Sequence, residues 1–126
     1  MFNWRRPTNL GVHDGRLAPC RRSPNCVSSQ ADPSDREHYI APLKASMEEV
    51  RKAVESLPRT RVISADSHYL YAEFRSRLLR YVDDVEFLFD GKNIQVRSAS
   101  RLGRRDFGVN RDRIEEIRRR VSSART

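Results

Sequence analysis

Lysine is scarce in this chain: 3 against 22 arginines, in 126 residues whose formal charge is +8. A basic balance invites nucleic-acid or anionic-membrane partners. The arginines run from Arg5 to Arg125, however, and often stand beside acids, and a GC-rich genome alone produces such a skew. No aromatic RNA-binding motif, zinc-finger spacing or glycine-rich phosphate loop accompanies the charge, so a nucleic-acid partner is not expected. No apolar run approaches the ~20 residues of a membrane helix. The opening MFNWRRPTNL lacks the apolar stretch of a secretory signal. The chain as it stands is therefore expected in the cytoplasm, or in the periplasm or at a membrane if a leader has been removed. Apolar residues make up 37% and charged residues 33%, a lean mixture. Because the apolar residues fall in periodic segments, the expectation is still one folded domain over 1–126 rather than disorder.

Cysteine is confined to Cys20 and Cys26, which flank Arg-Arg-Ser-Pro-Asn. Zinc would need two further ligands, with His13 and His38 nearest, and the spacing is not that of a structural zinc knuckle. A nucleophilic Cys26 would need His13, His38 or His68 as base, and no local signature joins them. The expected role is structural, a pair pinning a loop either as a disulfide or as buried thiols.

Residues 1–41 read as an irregular N-terminal arm, broken by Gly11, Gly15, Pro19, Pro24 and Pro33. Leu10, Val12, Leu17 and Val27 are its expected pins to the body at 42–126. Ser46-Met47-Glu48-Glu49 forms a capping box that opens a helix with Met47, Val50, Val54 and Leu57 on one face, stopped by Pro58. Four strands are predicted at 60–64, 69–75, 81–89 and 93–101. Gly91-Lys92 suits a two-residue type II′ hairpin, which pairs Phe89 with Ile94, Phe87 with Val96 and Glu86 with Arg97. A second helix is predicted over 111–121 with Asn110 as N-cap and Ile114, Ile117 and Val121 buried. The order α-β-β-β-β-α makes an α+β fold: a four-stranded antiparallel sheet with two helices on one face and the long irregular arm.

Chemistry concentrates near YVDDVEFLF, where three acids interrupt an otherwise apolar strand. Alternation puts Asp84 and Glu86 on one face, beside Arg97 and Arg101 of the next strand. Asp83 falls on the other face with Ser98 and Ser100. A salt-bridge ladder is the plainest account of the pattern, worth ~0.2–1 kcal/mol per pair. The alternative is a pocket in which acids aim arginines at a ligand. Gly103 and Gly108 loosen the strand-to-helix connection, and the helix start with Arg113 suits an anion; Asp106 instead capping a loop amide is the plainer reading there.

The stretches LGVHDGRLAPC (10–20), SPNCVSSQ (23–30), VDDVEF (82–87) and RSASRLGRRDFGVNRDRIE (97–115) resemble the family catalogued as domain of unknown function 1499. The resemblance runs from about Leu10 to Val121. It implies relatives in bacteria and plastids, many with a signal, lipid-attachment or membrane segment before the domain, and it implies no activity. Arg104-Arg105 stands where similar proteins carry a less basic pair.

The favoured function is a small non-catalytic binding module for an anionic or amphiphilic ligand, without a cofactor or metal. Arg97, Arg101 and Arg113 would bind the ligand, Asp84 and Glu86 would orient the arginines, and Ser98, Ser100 and Asn110 would add neutral hydrogen bonds. Two alternatives stand: an enzyme with Asp83 or Asp84 as general acid or base, and an assembly component contacting an acidic partner or anionic membrane. The oligomeric state is left open.

Overall fold

A computed structural model describes residues 5–77, 81–102 and 108–124. The chain runs β1 (Cys26–Ser28), α1 (Met47–Glu55), β2 (Thr60–Ala65), β3 (Tyr69–Arg75), β4 (Val82–Phe89), β5 (Ile94–Ser100) and α2 (Val109–Ala124). The strands form one antiparallel sheet in the order β1-β5-β4-β3-β2.

The capping box of α1 forms as its sequence requires. The Ser46 hydroxyl accepts from the Glu49 amide at 3.1 Å and the Glu49 carboxylate accepts from the Ser46 amide at 2.8 Å. The β4–β5 hairpin takes the register that its turn dictates, pairing Phe89 with Ile94, Phe87 with Val96 and Glu86 with Arg97. Gly91 has φ of 99°, the left-handed first position of the turn, where a Cβ would be strained.

Period-two alternation then sorts the sheet's two faces. Leu70, Ala72, Phe74, Val85, Phe87, Ile94 and Val96 share one buried cluster with Val50 and Val54 of α1 and Ile114, Ile117 and Val121 of α2. Both helices thus cover the same face. The other face carries Tyr69, Tyr71, Glu73, Asp84, Glu86, Arg97 and Arg101.

Three expectations need correction. The sheet has five strands rather than four, because Cys26–Ser28 of the arm pairs with the β5 edge, Val27 opposite Ser98. Three residues buried on both faces give no alternation to detect. Asn110 is not the N-cap: α2 begins at Val109, the Gly108 carbonyl accepts the Asp112 amide at 2.9 Å, and Asn110 is a fully buried helical residue. Val12 is exposed rather than a pin, whereas Leu17 and Val27 are buried. Gly103, Arg104, Arg105 and Asp106 lie outside the described residues.

Candidate functional site

The face turned away from the helices would be a solvated sheet surface if the arm did not cross it. The Gly11 amide donates to Glu86 Oε2 at 2.7 Å, and Arg6 reaches Glu73 Oε2 at 2.8 Å. These contacts join residues more than sixty positions apart and bury the acids beneath the arm.

Under that cover the charges arrange into two linked groups. Asp84 is held by both ends of Arg101, Nε to Oδ2 and Nη2 to Oδ1 at 3.0 Å each, and accepts the Tyr71 hydroxyl proton. Arg101 Nη2 also donates to Glu73 at 2.6 Å. Burial pushes the Glu73 carboxyl up, but hydrogen bonds from Arg6 and Arg101 outweigh it and hold the group below its ordinary range. Burial, with Asp84 as acceptor, raises the Tyr71 phenol.

The second group is less well matched. Glu86 is completely buried and accepts from the Tyr69 hydroxyl at 2.6 Å as well as from Gly11. Burial lifts its carboxyl above the usual value despite those donors. Its charge partner, Arg97, is 5% exposed, and Nη1 stops 3.8 Å from Glu86 Oε1, outside hydrogen-bond range. Among the described residues, Arg97 Nη2 makes one long contact, 3.5 Å to the Pro19 carbonyl. Among the described residues, Arg97 Nε and Glu86 Oε1 are the buried side-chain polar atoms that lack a hydrogen-bond partner. Burial lowers the Arg97 guanidinium from its ordinary value, Glu86 and Asp84 pull against that, and the like charge of Arg21 adds to it.

Arg97 borders a cavity of about 380 Å³ between the arm and the sheet. Arg5 and Arg21 supply further cations to its wall, Asp84 and Arg101 form part of its floor, and Pro7, Ala99 and Leu102 supply apolar surface. Arg21 belongs to the loop closed by the Cys20–Cys26 disulfide, whose Cys26 also reaches the cavity. The cysteines are oxidised and paired, which rules out both a thiolate nucleophile and a thiolate metal site in this state. His38, one of the histidines weighed as a partner for them, braces the loop. Its ring nitrogens contact Asp35 Oδ2 at 2.8 Å and the Ser23 carbonyl at 2.9 Å.

The residues expected in one pocket are divided by the sheet. Asp84, Arg97, Ser100 and Arg101 border the cavity, and Glu86 lies beneath Arg97. Asp83, Ser98, Asn110 and Arg113 belong to the helix-covered face. There Arg113 pairs with Asp83 at 2.8 Å and stacks 4.8 Å from the Phe74 ring centre. Asn110 accepts from Ser98 at 2.6 Å and donates to the Asn25 carbonyl and Ser100, stitching α2 to β5 and the start of β1. Sequence reading missed Glu73, Tyr69 and Tyr71, although the polar alternation of YLYAEFR carries a signal for them. It also missed Arg5 and Arg21, for which an irregular arm offers no periodicity. Among the described residues no group of three or more His, Cys, Asp or Glu is placed to hold a metal ion. No described helix is long and apolar enough to cross a membrane.

The sequence profile of one family, described as a protein of unknown function (DUF1499), matches residues 16–121. The chain belongs to the DUF1499 family. No curated protein matches it. The DUF1499 match takes in Arg21, the disulfide, Asp84, Arg97 and Arg101 but starts after Arg5, Arg6 and Gly11. Part of the cavity's cover therefore comes from outside the matched segment.

Proposed function

We propose that this protein is a small binding module whose arm-covered cavity takes an organic anion. The observation that carries the reading is Arg97, a guanidinium 5% exposed with an unpartnered Nε, at the wall of a 380 Å³ cavity. Burying a charge is costly unless its hydrogen bonds are restored, and Glu86 at 3.8 Å restores none. An anion in the cavity would supply the missing acceptor. The asymmetry supports binding over simple glue: Arg101 is saturated by Asp84 and Glu73, whereas Arg97 beside it is not. Apolar lining from Pro7, Ala99 and Leu102 supports an organic portion on the ligand. The disulfide supports work in an oxidising compartment, because such bonds rarely persist in a reducing cytosol.

The test is a titration with benzoate and with phenyl phosphate, followed by amide chemical shifts in the wild type and in Arg97→Met/Glu86→Gln. Removing both charges together keeps the protein folded while deleting the anchor. Saturable shifts near residues 21 and 97 that vanish in the double variant are expected. Absence of saturable binding by either probe, or unchanged binding in the variant, would overturn the proposal.

A further inference from the structure

The charge census of the cavity narrows the anion. Arg5, Arg21 and Arg97 approach from three separate segments, the arm, the disulfide loop and β5. Arg101 adds a fourth guanidinium, but Asp84 and Glu73 already neutralise it. Arg5 and Arg21 are exposed, and neither forms an ion pair with a described carboxylate. Among the described residues, Glu86 at 3.8 Å is the acid that pairs with Arg97. Three arginines from separate segments thus border one space, two of them without an ion pair to a described carboxylate.

A planar carboxylate carries one charge on two oxygens and is matched by a single fork, or two at most. A terminal phosphate carries nearly two charges on three oxygens, which arginine forks approaching from different sides can share. A phosphate diester keeps only one charge and two free oxygens. We propose that the ligand is a phosphate monoester, its phosphoryl group among Arg5, Arg21 and Arg97 and its organic group against Pro7, Ala99 and Leu102. This rests on the anion-binding reading above and adds the ligand's class. The like charges of Arg21 and Arg97, set against each other at the cavity, would be offset by a dianion between them.

Calorimetry at pH 7.5 with phenyl phosphate, benzoate and inorganic phosphate separates the two claims. Phenyl phosphate is expected to bind at least tenfold more tightly than benzoate, which presents the same ring with one charge. It should also outbind inorganic phosphate, which lacks the ring. Arg21→Gln and Arg5→Gln change exposed side chains and leave the fold intact; each should weaken phenyl phosphate several-fold. Benzoate binding as tightly as phenyl phosphate would overturn the ester class while leaving an anion site. Equal affinity for inorganic phosphate, or no effect of either arginine variant, would overturn the assigned pose. Binding by no probe would remove both proposals. A lipid headgroup and a soluble metabolite share this chemistry. Co-sedimentation with phosphatidylcholine vesicles containing phosphatidic acid, but not phosphatidylglycerol, would assign the lipid source. Soluble binding without sedimentation would assign the other.

Discussion

Replacing Arg97 with methionine isolates the central physical claim. Arg97→Met keeps the length of the side chain and removes a buried charge, which leaves Glu86 buried without its cation. Breaking a buried pair from one side costs about 3–5 kcal/mol. In a chain of this size that corresponds to a melting point lower by on the order of 10–20 °C. The loss should depend on pH in a defined direction. Burial already holds the Glu86 carboxyl above its ordinary value, 4.5. Without Arg97 it rises further, so the folded variant binds a proton that the unfolded chain releases. A raised carboxyl contributes stability that is full below the unfolded pKa and is lost as pH climbs through the folded one. Measured against wild type, Arg97→Met should therefore lose about 1–2 kcal/mol at pH 5, roughly the cost of an unsatisfied neutral polar group. The full loss should appear at pH 7.5. Adding Glu86→Gln removes the stranded charge, and the double variant should be at least as stable as wild type, because buried pairs replaced by neutral groups are often neutral or stabilising by about 1–4 kcal/mol. Urea unfolding followed by circular dichroism at both pH values reads all three proteins, and subtracting wild type cancels other titrations. An equal loss at pH 5 and pH 7.5 would refute the charge argument. So would a double variant no better than the single one, since Arg97 would then matter through packing.

The loop closed by Cys20 and Cys26 is short, so Cys20→Ser/Cys26→Ser should lower stability by only about 2 kcal/mol in the chain-entropy account, while weakening phenyl phosphate more than benzoate because Arg21 is released; chemical unfolding and calorimetry read the two effects. His38 is raised above 6.5: burial works against its charge, but the Ser23 carbonyl and Asp35 as acceptors prevail. Its contribution is therefore complete below pH 6.5 and fades as pH rises through the folded value, so melting points should fall on the alkaline side in wild type and lose that slope in His38→Gln. Asn110→Ala removes a buried amide that joins Ser98, Ser100 and the Asn25 carbonyl, and should cost about 2–4 kcal/mol in urea unfolding. A loss below 1 kcal/mol would mean that water replaces the amide there.

The amino-acid sequence by itself determined the elements whose information is local. Ser46 and Glu49 set the start of α1 because their reciprocal bonds span three residues. Gly91 set the turn of the β4–β5 hairpin, and the turn then set every pair along it, including Glu86 opposite Arg97. Period two consequently separated Asp84 and Glu86 from Asp83 before any packing was known. Tertiary structure decided what that alternation leaves open: which charges are buried and which share a space. Glu86 is sealed by the amide of Gly11 and Glu73 by Arg6, contacts across 75 and 67 residues that no local pattern encodes. The arm also donates β1, whose three residues are too few to show a period. Arg113 and Asn110 are expected beside Arg97 because a helix start at the sheet's end suits an anion, yet the sheet stands between them. Arg5 and Arg21 face the cavity only because a disulfide and two buried carboxylates hold the arm across the sheet. The arm has no repeating pattern of its own, so its course is fixed by what it meets far along the chain: the β5 edge, the buried core and the carboxylates it covers.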